Sequence, residues 1–363
     1  MIYLDYQATT PLSPEVRTAM LPWLDHFANP HSPSRWGREA AAAIEHARGR
    51  VAALLPSGGE TIFTSGATEA LNMALRGTTG RIVTLATEHA AVLDTVEWLA
   101  RHGRDVEVLP VRADGLVDLD HLRDALRKPT GLVAAMLVNN EIGVIQPVAE
   151  IAEAAHEAGA LMLCDAVQGY GRMPVPSGPD LVAISAHKVY GPKGIGALWT
   201  RDGVTVEPLL HGGGQERGLR SGTLSPMLCA GFGEAAALAR RDMSSDADHV
   251  RRLHEAALQA LGPGWIVNGS TGHRYAGNLN LRRPGLDSAR LIADCRSIAF
   301  SLGSACASGS GRPSHVLRAI GLSDAEARSS IRLGFGRYTT KEDVVEACAL
   351  IRDAAEAQQQ FAA

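Results

Sequence analysis

Leu161-Met162-Leu163-Cys164-Asp165 is a short apolar run that ends on a carboxylate, and 23 residues after Asp165 a second run, Leu181–Ser185, has led through Ala186 and His187 to Lys188. Apolar runs this short, without polar alternation, read as strands buried on both faces. Val148–Ala158, just upstream, carries apolar residues at helical spacing and predicts a crossover helix. Strand, helix and strand in this order favour a parallel sheet with helices on both faces. Arg81–Leu85, Val106–Val111, Leu132–Val138 and Gly196–Thr200 predict further strands of the same sheet.

Towards the N-terminus, Ser13 as N-cap and Pro14 at the first helical position predict one helix. Ile44, Ala47, Val51, Leu54 and Leu55 mark the buried face of another. Past residue 240 the texture changes. Arg240-Arg241-Asp242-Met243-Ser244-Ser245-Asp246 is polar enough to mark a boundary, and beyond it strands at Gly277–Leu281 and Ile331–Phe335 mix with helices at Ser288–Cys295 and Thr340–Ala357. Thr339 with Glu342, and Ser323 with Glu326, fit capping boxes. The expected architecture is α/β: a large domain over 14–243 with a mostly parallel central sheet, and a smaller α+β domain from 1–13 and 244–363.

The chain has 363 residues, enough for two or three domains of roughly 150 residues. It is 45% hydrophobic and 20% charged with a formal net charge of −4, an ordinary globular balance without the basic surface that nucleic acid or an anionic membrane calls for. No stretch of about 18 apolar residues predicts a membrane span, and the start predicts no secretory signal. Five widely spaced cysteines, Cys164, Cys229, Cys295, Cys306 and Cys348, make neither a disulfide framework nor a C-x-x-C pair, which points to a reducing cytoplasm.

Lys188 and Asp165 carry the first chemical signal. A lysine at the end of a buried strand can serve as a nucleophilic amine that forms a Schiff base. Asp165 ends its strand at the sheet edge where open α/β folds keep their ligands. Taken alone, these are equally a turn lysine and a helix cap; taken together, they are the pair that pyridoxal phosphate requires. Thr64-Ser65-Gly66-Ala67-Thr68-Glu69 opens a helix whose free N–H groups suit a phosphate. The Walker pattern and the G-x-G-x-x-G fingerprint are both missing, which lowers nucleotide and nicotinamide readings.

Leu4-Asp5-Tyr6-Gln7-Ala8-Thr9-Thr10-Pro11, Ser65–Glu69, Thr87-Glu88-His89, Val138–Gly143, Ser185–Lys188, His211–Arg217, Arg220-Ser221-Gly222-Thr223 and Gly303-Ser304-Ala305-Cys306 together resemble the NifS/IscS-type cysteine desulfurases. These belong to the class V aminotransferase-like, fold type I enzymes that use pyridoxal 5'-phosphate. The resemblance runs in family order from residue 4 to residue 337. It implies that Lys188 holds the cofactor, that Asp165 pairs with its ring nitrogen, that Gln168 meets the ring hydroxyl and that His89 stacks on the ring. Asn140 would sit beside the ring hydroxyl and the substrate carboxylate, and Asn29 would also reach the substrate. Ala67, Thr68, Ser185 and His187 would bind phosphate, joined by Thr223 of a second subunit, which implies a homodimer with shared active sites.

Cys306 lies in a stretch of small and polar residues with no apolar periodicity, which predicts an exposed mobile loop. The other four cysteines sit in apolar runs and read as buried hydrophobes. Alone, Cys306 is a surface thiol; the resemblance makes it the nucleophile of the long-loop group, forming a persulfide from L-cysteine as alanine leaves. Arg332 matches the arginine that grips the substrate carboxylate, for which a planar fork suits better than an ammonium. His89, beside the reacting sulfur, would serve proton transfer. The sulfur acceptor, an iron–sulfur scaffold or a thiolation enzyme, stays open. Relative to housekeeping members the sequence stops early, at Ala363, and is trimmed over Leu54–Glu60; the first difference puts the usual scaffold partner in question. Selenocysteine lyase and small-amino-acid aminotransferase are the neighbouring alternatives, and a non-catalytic sulfur-relay scaffold is the alternative of another class.

Overall fold

The computed structural model describes residues 1–303 and 313–362. Among them, seven strands form the central sheet, in the order Gly59–Thr64, Gly196–Arg201, Leu181–Ser185, Leu161–Asp165, Leu132–Met136, Ile82–Leu85, Val106–Leu109. Gly196–Arg201 runs antiparallel to both neighbours, and the remaining pairings are parallel. Period-two alternation divides the strand residues between two apolar clusters. Val83, Val133, Met162, Val182 and Ile184 face one side, and Ile82, Leu132, Leu163, Leu181 and Ala183 face the other. Both faces are covered, which is why these strands read as unbroken apolar runs.

Gly59–Thr64 is a strand the sequence reading does not include. Its polar opening, Gly59-Glu60-Thr61, hides it, and its place is fixed by closeness: a Cβ on Gly59 would lie 2.4 Å from both the Thr200 carbonyl and the Trp199 ring. Only glycine lets that edge pair form.

A second, antiparallel sheet holds Ser301–Leu302, Ser330–Gly334, Asn278–Arg282 and Ile266–Val267 in that order. The N-terminus joins this region. Ile2–Tyr3 pairs with Ile298–Ala299, Asp5 bridges to Gly334, and Leu4 is fully buried in the local apolar cluster. The polar stretch 240–246 is no linker. It is the solvated middle of one 36-residue helix, Pro226–Leu261, whose Cys229–Ala239 half packs on the large sheet's cluster and whose Val250–Leu261 half packs on the smaller one. Ion pairs from Arg337 to Asp246 (2.7 Å) and Asp242 (3.7 Å) settle that polar middle.

Two local expectations shift. The last helix starts at Lys341, so Thr340 is its cap: the Thr340 hydroxyl accepts from the Asp343 N–H (3.0 Å), while the Thr339 hydroxyl accepts from the Gly336 N–H (3.1 Å). The cap is thus Thr340 with Asp343, not Thr339 with Glu342. Ser13 precedes helix Pro14–Met20 as expected but gives its hydroxyl to the Glu15 carboxylate instead of accepting from a backbone N–H. Ser323 and Glu326 do form a capping box.

Candidate active site

Four parallel strands, Ile82–Leu85, Leu132–Met136, Leu161–Asp165 and Leu181–Ser185, point their carboxyl ends at one cavity of about 600 Å³. That edge is where open α/β sheets place ligands, and the volume suits a small cofactor with its substrate. Ala67, Thr68, His89, Asn140, Asp165, Gln168, Ser185, His187, Lys188 and Arg332 all line it.

Lys188 closes a short turn, Ala186–Lys188, directly after its strand. Its Nζ donates to the carbonyl oxygens of Gln7 (2.6 Å) and Ala8 (2.7 Å), so the N-terminal segment holds the amine in place. Asp165 is buried at its strand end, where Oδ1 accepts from the Val167 N–H at 2.9 Å. Burial pushes its carboxyl up; the Val167 N–H and the nearby His89 and Lys188 pull it back. His89 caps the helix Ala90–Arg101, its Nδ1 accepting from the Ala91 N–H at 3.1 Å. That contact assigns the ring proton to Nε2. Burial draws this imidazole below its usual range, opposed by Asp165 and reinforced by Lys188 and His315.

The far end of the cavity is a helix N-terminus. Gly66 caps the helix Ala67–Gly77 with no side-chain acceptor, and the space beside its Cα is open. Gly196 must be glycine here, since a Cβ would lie 2.7 Å from the Gly66 carbonyl carbon. Buried Ser185 and half-buried His187 stand beside the unfilled N–H groups. Burial, followed by the charges of Lys188, Lys193 and Arg172, lowers His187 to about 4.

At the opposite end Arg332 is fully buried. Its Nη2 donates to Asp5 Oδ1 (2.7 Å) and Ser301 Oγ (3.1 Å), and its Nη1 donates to the Asn140 carbonyl (2.9 Å). Nε has no partner among the described residues. Asp5 Oδ2 accepts from the Ser301 hydroxyl (2.9 Å), so one carboxylate braces both the guanidinium and its neighbour Ser301. Gln168 donates to the Gln7 carbonyl (2.9 Å) and accepts from Arg172 (2.5 Å), which leaves one amide N–H for a ligand.

Two expected site residues stand elsewhere, and a third is not among the described residues. Asn29 and Thr223 are exposed and do not line this cavity, and Cys306 lies outside the described residues. The other four thiols are buried. Burial raises all four, Cys229 and Cys348 to about 12, so they stay protonated and poorly nucleophilic.

Sequence reasoning assigned no role to Asp5, Gln7 or Lys193. Asp5 and Gln7 lie in the quoted Leu4–Pro11 motif, and Lys193 lies in the turn after Lys188; only the fold brings the first two to the site. Glu88 and Glu141 were missed too. Glu88 is fully buried, with Oε1 accepting from the Met136 N–H (2.9 Å) and Oε2 without a partner among the described residues. Burial raises it well above the usual range. Glu141 accepts from the Ser314 hydroxyl, and His315 contacts the Glu88 carbonyl (2.9 Å), so Ser314 and His315 are fastened to the sequence neighbours of the cavity residues Asn140 and His89.

The residues present fit pyridoxal phosphate. A helix N-terminus without a side-chain cap suits a phosphate, a buried carboxylate suits a protonated ring nitrogen, and an amine between them suits the aldehyde. Comparison with known proteins agrees. The Aminotransferase class-V family matches residues 2–346. A cysteine desulfurase IscS of Rickettsia bellii is 45% identical over 368 residues, covering 96% of this chain and 90% of the relative. A NifS-like protein of Rickettsia africae superposes with a TM-score of 0.89 at 31% identity, over 97% of this chain and 99% of that one. SspA in complex with cysteine superposes with a TM-score of 0.85 at 35% identity, over 94% of this chain and all of the other (100%).

Proposed function

The chain belongs to the class-V aminotransferase family, as a pyridoxal-phosphate-dependent cysteine desulfurase of the NifS/IscS type, and from that premise we propose how its own residues divide the work. The observation that carries the division is a single cavity joining an amine, a buried carboxylate, an imidazole and a buried guanidinium. Lys188 would hold the cofactor, Asp165 its ring nitrogen, and Ala67, Thr68, Ser185 and His187 its phosphate. His89 and Gln168 would bound the ring. The cofactor, when bound, supplies an electron-accepting ring for charge developed at the substrate's α-carbon.

L-cysteine enters with its carboxylate on Arg332, beside Asn140. Lys188 Nζ removes the α-proton and later returns a proton to the same carbon. His89 offers its Nε2–H to the reacting groups. The Cys306 thiolate attacks the substrate sulfur; the new S–S bond forms as the Cβ–S bond breaks, and that electron pair goes to carbon. The proton given up by the Cys306 thiol is matched by the one that completes the methyl group of alanine, leaving a persulfide on Cys306. Chain connectivity supports Cys306 in this role: it is five positions after Ser301, an Arg332 partner, a span of at most about 17 Å. The persulfide would pass to an acceptor in iron–sulfur cluster assembly or in thiolation of RNA or cofactors.

A homodimer completes the proposal. Thr223 and Asn29 are exposed and away from their own chain's cavity, and Leu21, Leu24, Phe27 and Trp36 expose apolar surface next to Asn29. A second subunit covering this face would account for both. No helix among the described residues is long and apolar enough to cross a membrane. The domain reading, a large domain over 14–243 and a smaller one from 1–13 and 244–363, remains a proposal, supported by two apolar clusters that share one long helix.

Alanine released from L-cysteine in the presence of a thiol reductant tests the reading. Wild-type protein should form alanine. Cys306→Ala should keep the yellow cofactor and form none. Yellow wild-type protein that releases no alanine would contradict the assignment of substrate.

A further inference from the structure

The cavity's charges do not balance on the residues assigned so far. A phosphate monoester carries about −1.5 to −2 at pH 7. A helix N-terminus offers about +0.5. Among the described residues the cations lining the cavity are Lys188, Lys193 and Arg332. Lys188 is engaged by the Gln7 and Ala8 carbonyls, and its amine is needed for the cofactor's aldehyde. Arg332 is paired with Asp5. Burial keeps His187 neutral in this chain, so it brings a donor but no charge.

Lys193 is left, and the fold puts it at the right end. It stands in the exposed turn that leads into strand Gly196–Arg201. The first residue of that strand, Gly196, pairs with Thr64 on one side and Ser185 on the other. Thr64 leads into the helix cap Gly66, against which Gly196 packs, and Ser185 leads into His187. The turn therefore enters between the two strand ends that flank the helix N-terminus. Lys193 and His187 line the same cavity, together with Gly66, Ala67 and Thr68 of the helix start. Lys193 forms no ion pair with a carboxylate among the described residues.

We infer that Lys193 is the charge partner of the cofactor's phosphate, a binding residue at the cavity rim that complements the neutral donors below it. The inference rests on the cofactor assignment made above. A mobile, exposed ammonium can follow an incoming anion and then close on it, which the backbone N–H groups of the helix cannot do. Its contribution should fall with ionic strength, because an exposed charge pair is screened.

The test compares two aldehydes on the full-length protein freed of cofactor: pyridoxal phosphate, and pyridoxal, which lacks the phosphate. Binding is followed by the absorption band of the lysine adduct. Lys193→Met should weaken pyridoxal phosphate about tenfold and leave pyridoxal within about twofold. It should also flatten the salt dependence of pyridoxal phosphate binding, and Lys193→Arg should restore both affinity and salt response. Equal weakening of the two aldehydes would show a structural role and overturn the inference; so would unchanged binding of both. Wild-type protein that forms no band with either aldehyde would overturn the cofactor assignment itself, and this inference with it.

Discussion

The two ends of the cavity are built by different means. The phosphate end draws on two strand-to-helix junctions: a helix N-terminus at Gly66, and the last residue of strand Leu181–Ser185 with the turn after it, supply backbone N–H groups, a hydroxyl and a neutral imidazole. The carboxylate end is assembled from far-separated charges. Asp5 and Arg332 are 327 residues apart in sequence, and Asn140 and Ser301 come from two other segments. Backbone donors are in place as soon as the sheet and helix form, and the inferred role of Lys193 at the rim adds the charge they lack. A guanidinium in the interior must be braced by partners, and here Asp5 does the bracing.

The largest expected effect comes from the amine between the two ends. Lys188→Ala should lower alanine formation by about a thousandfold or more, read by amino-acid analysis of the reaction mixture. Next is the carboxylate end. Arg332→Lys should cut kcat/KM for L-cysteine about a hundredfold, because a point charge cannot keep three neighbours and grip a carboxylate in two places. Its affinity for pyridoxal phosphate should be unchanged, and a matching loss of cofactor would dissolve the distinction between the ends. Asp5→Asn should lower kcat/KM about tenfold, mainly by raising KM, since the guanidinium loses its charged brace while the amide still meets Ser301. A fall in kcat with KM constant would instead place Asp5 in the chemical step.

The smallest effect concerns Glu88, which is buried, next to His89 in sequence, and belongs to neither end. Burial raises its carboxyl well above the ordinary value of 4.5, so the folded chain keeps a proton that the unfolded chain releases. Its contribution to stability is fully present below 4.5 and is lost as pH rises towards the folded value. Glu88→Gln mimics the protonated form. It should raise the melting temperature at pH 8 by about 2 °C, with the gain vanishing near pH 4. A gain independent of pH would show that the carboxyl's ionisation is not involved.

Much of this contrast follows from what a sequence can display. Apolar runs such as Leu161–Asp165 and Leu181–Ser185 announce buried strands, and their ends carry the key groups, so Lys188, Asp165 and the helix start at Ala67 are legible by local pattern. Arg332 stands on strand Ser330–Gly334 with nothing nearby to show that Asp5 pairs with it. That pairing exists because Ile2–Tyr3 joins Ile298–Ala299 and Asp5 bridges to Gly334, contacts set by tertiary structure alone. The polar 240–246 stretch shows the reverse. Its composition suggests a domain boundary, yet the chain stays helical because both flanks are packed on apolar clusters and Arg337 reaches across to Asp242 and Asp246. Glu88 and Glu141 were invisible for a related reason: burial, which raises both carboxyls, is decided by the packing around them.

The central claim is that this cavity moves sulfur from L-cysteine to Cys306. A single turnover with L-cysteine and no reductant, followed by alkylation and peptide mass spectrometry, tests it most directly. The peptide containing Cys306 should gain one sulfur atom in wild type and none in Lys188→Ala, while those containing Cys164, Cys229, Cys295 and Cys348 stay unmodified. Sulfur on one of those four buried cysteines, or none on Cys306 while alanine is still formed, would contradict it.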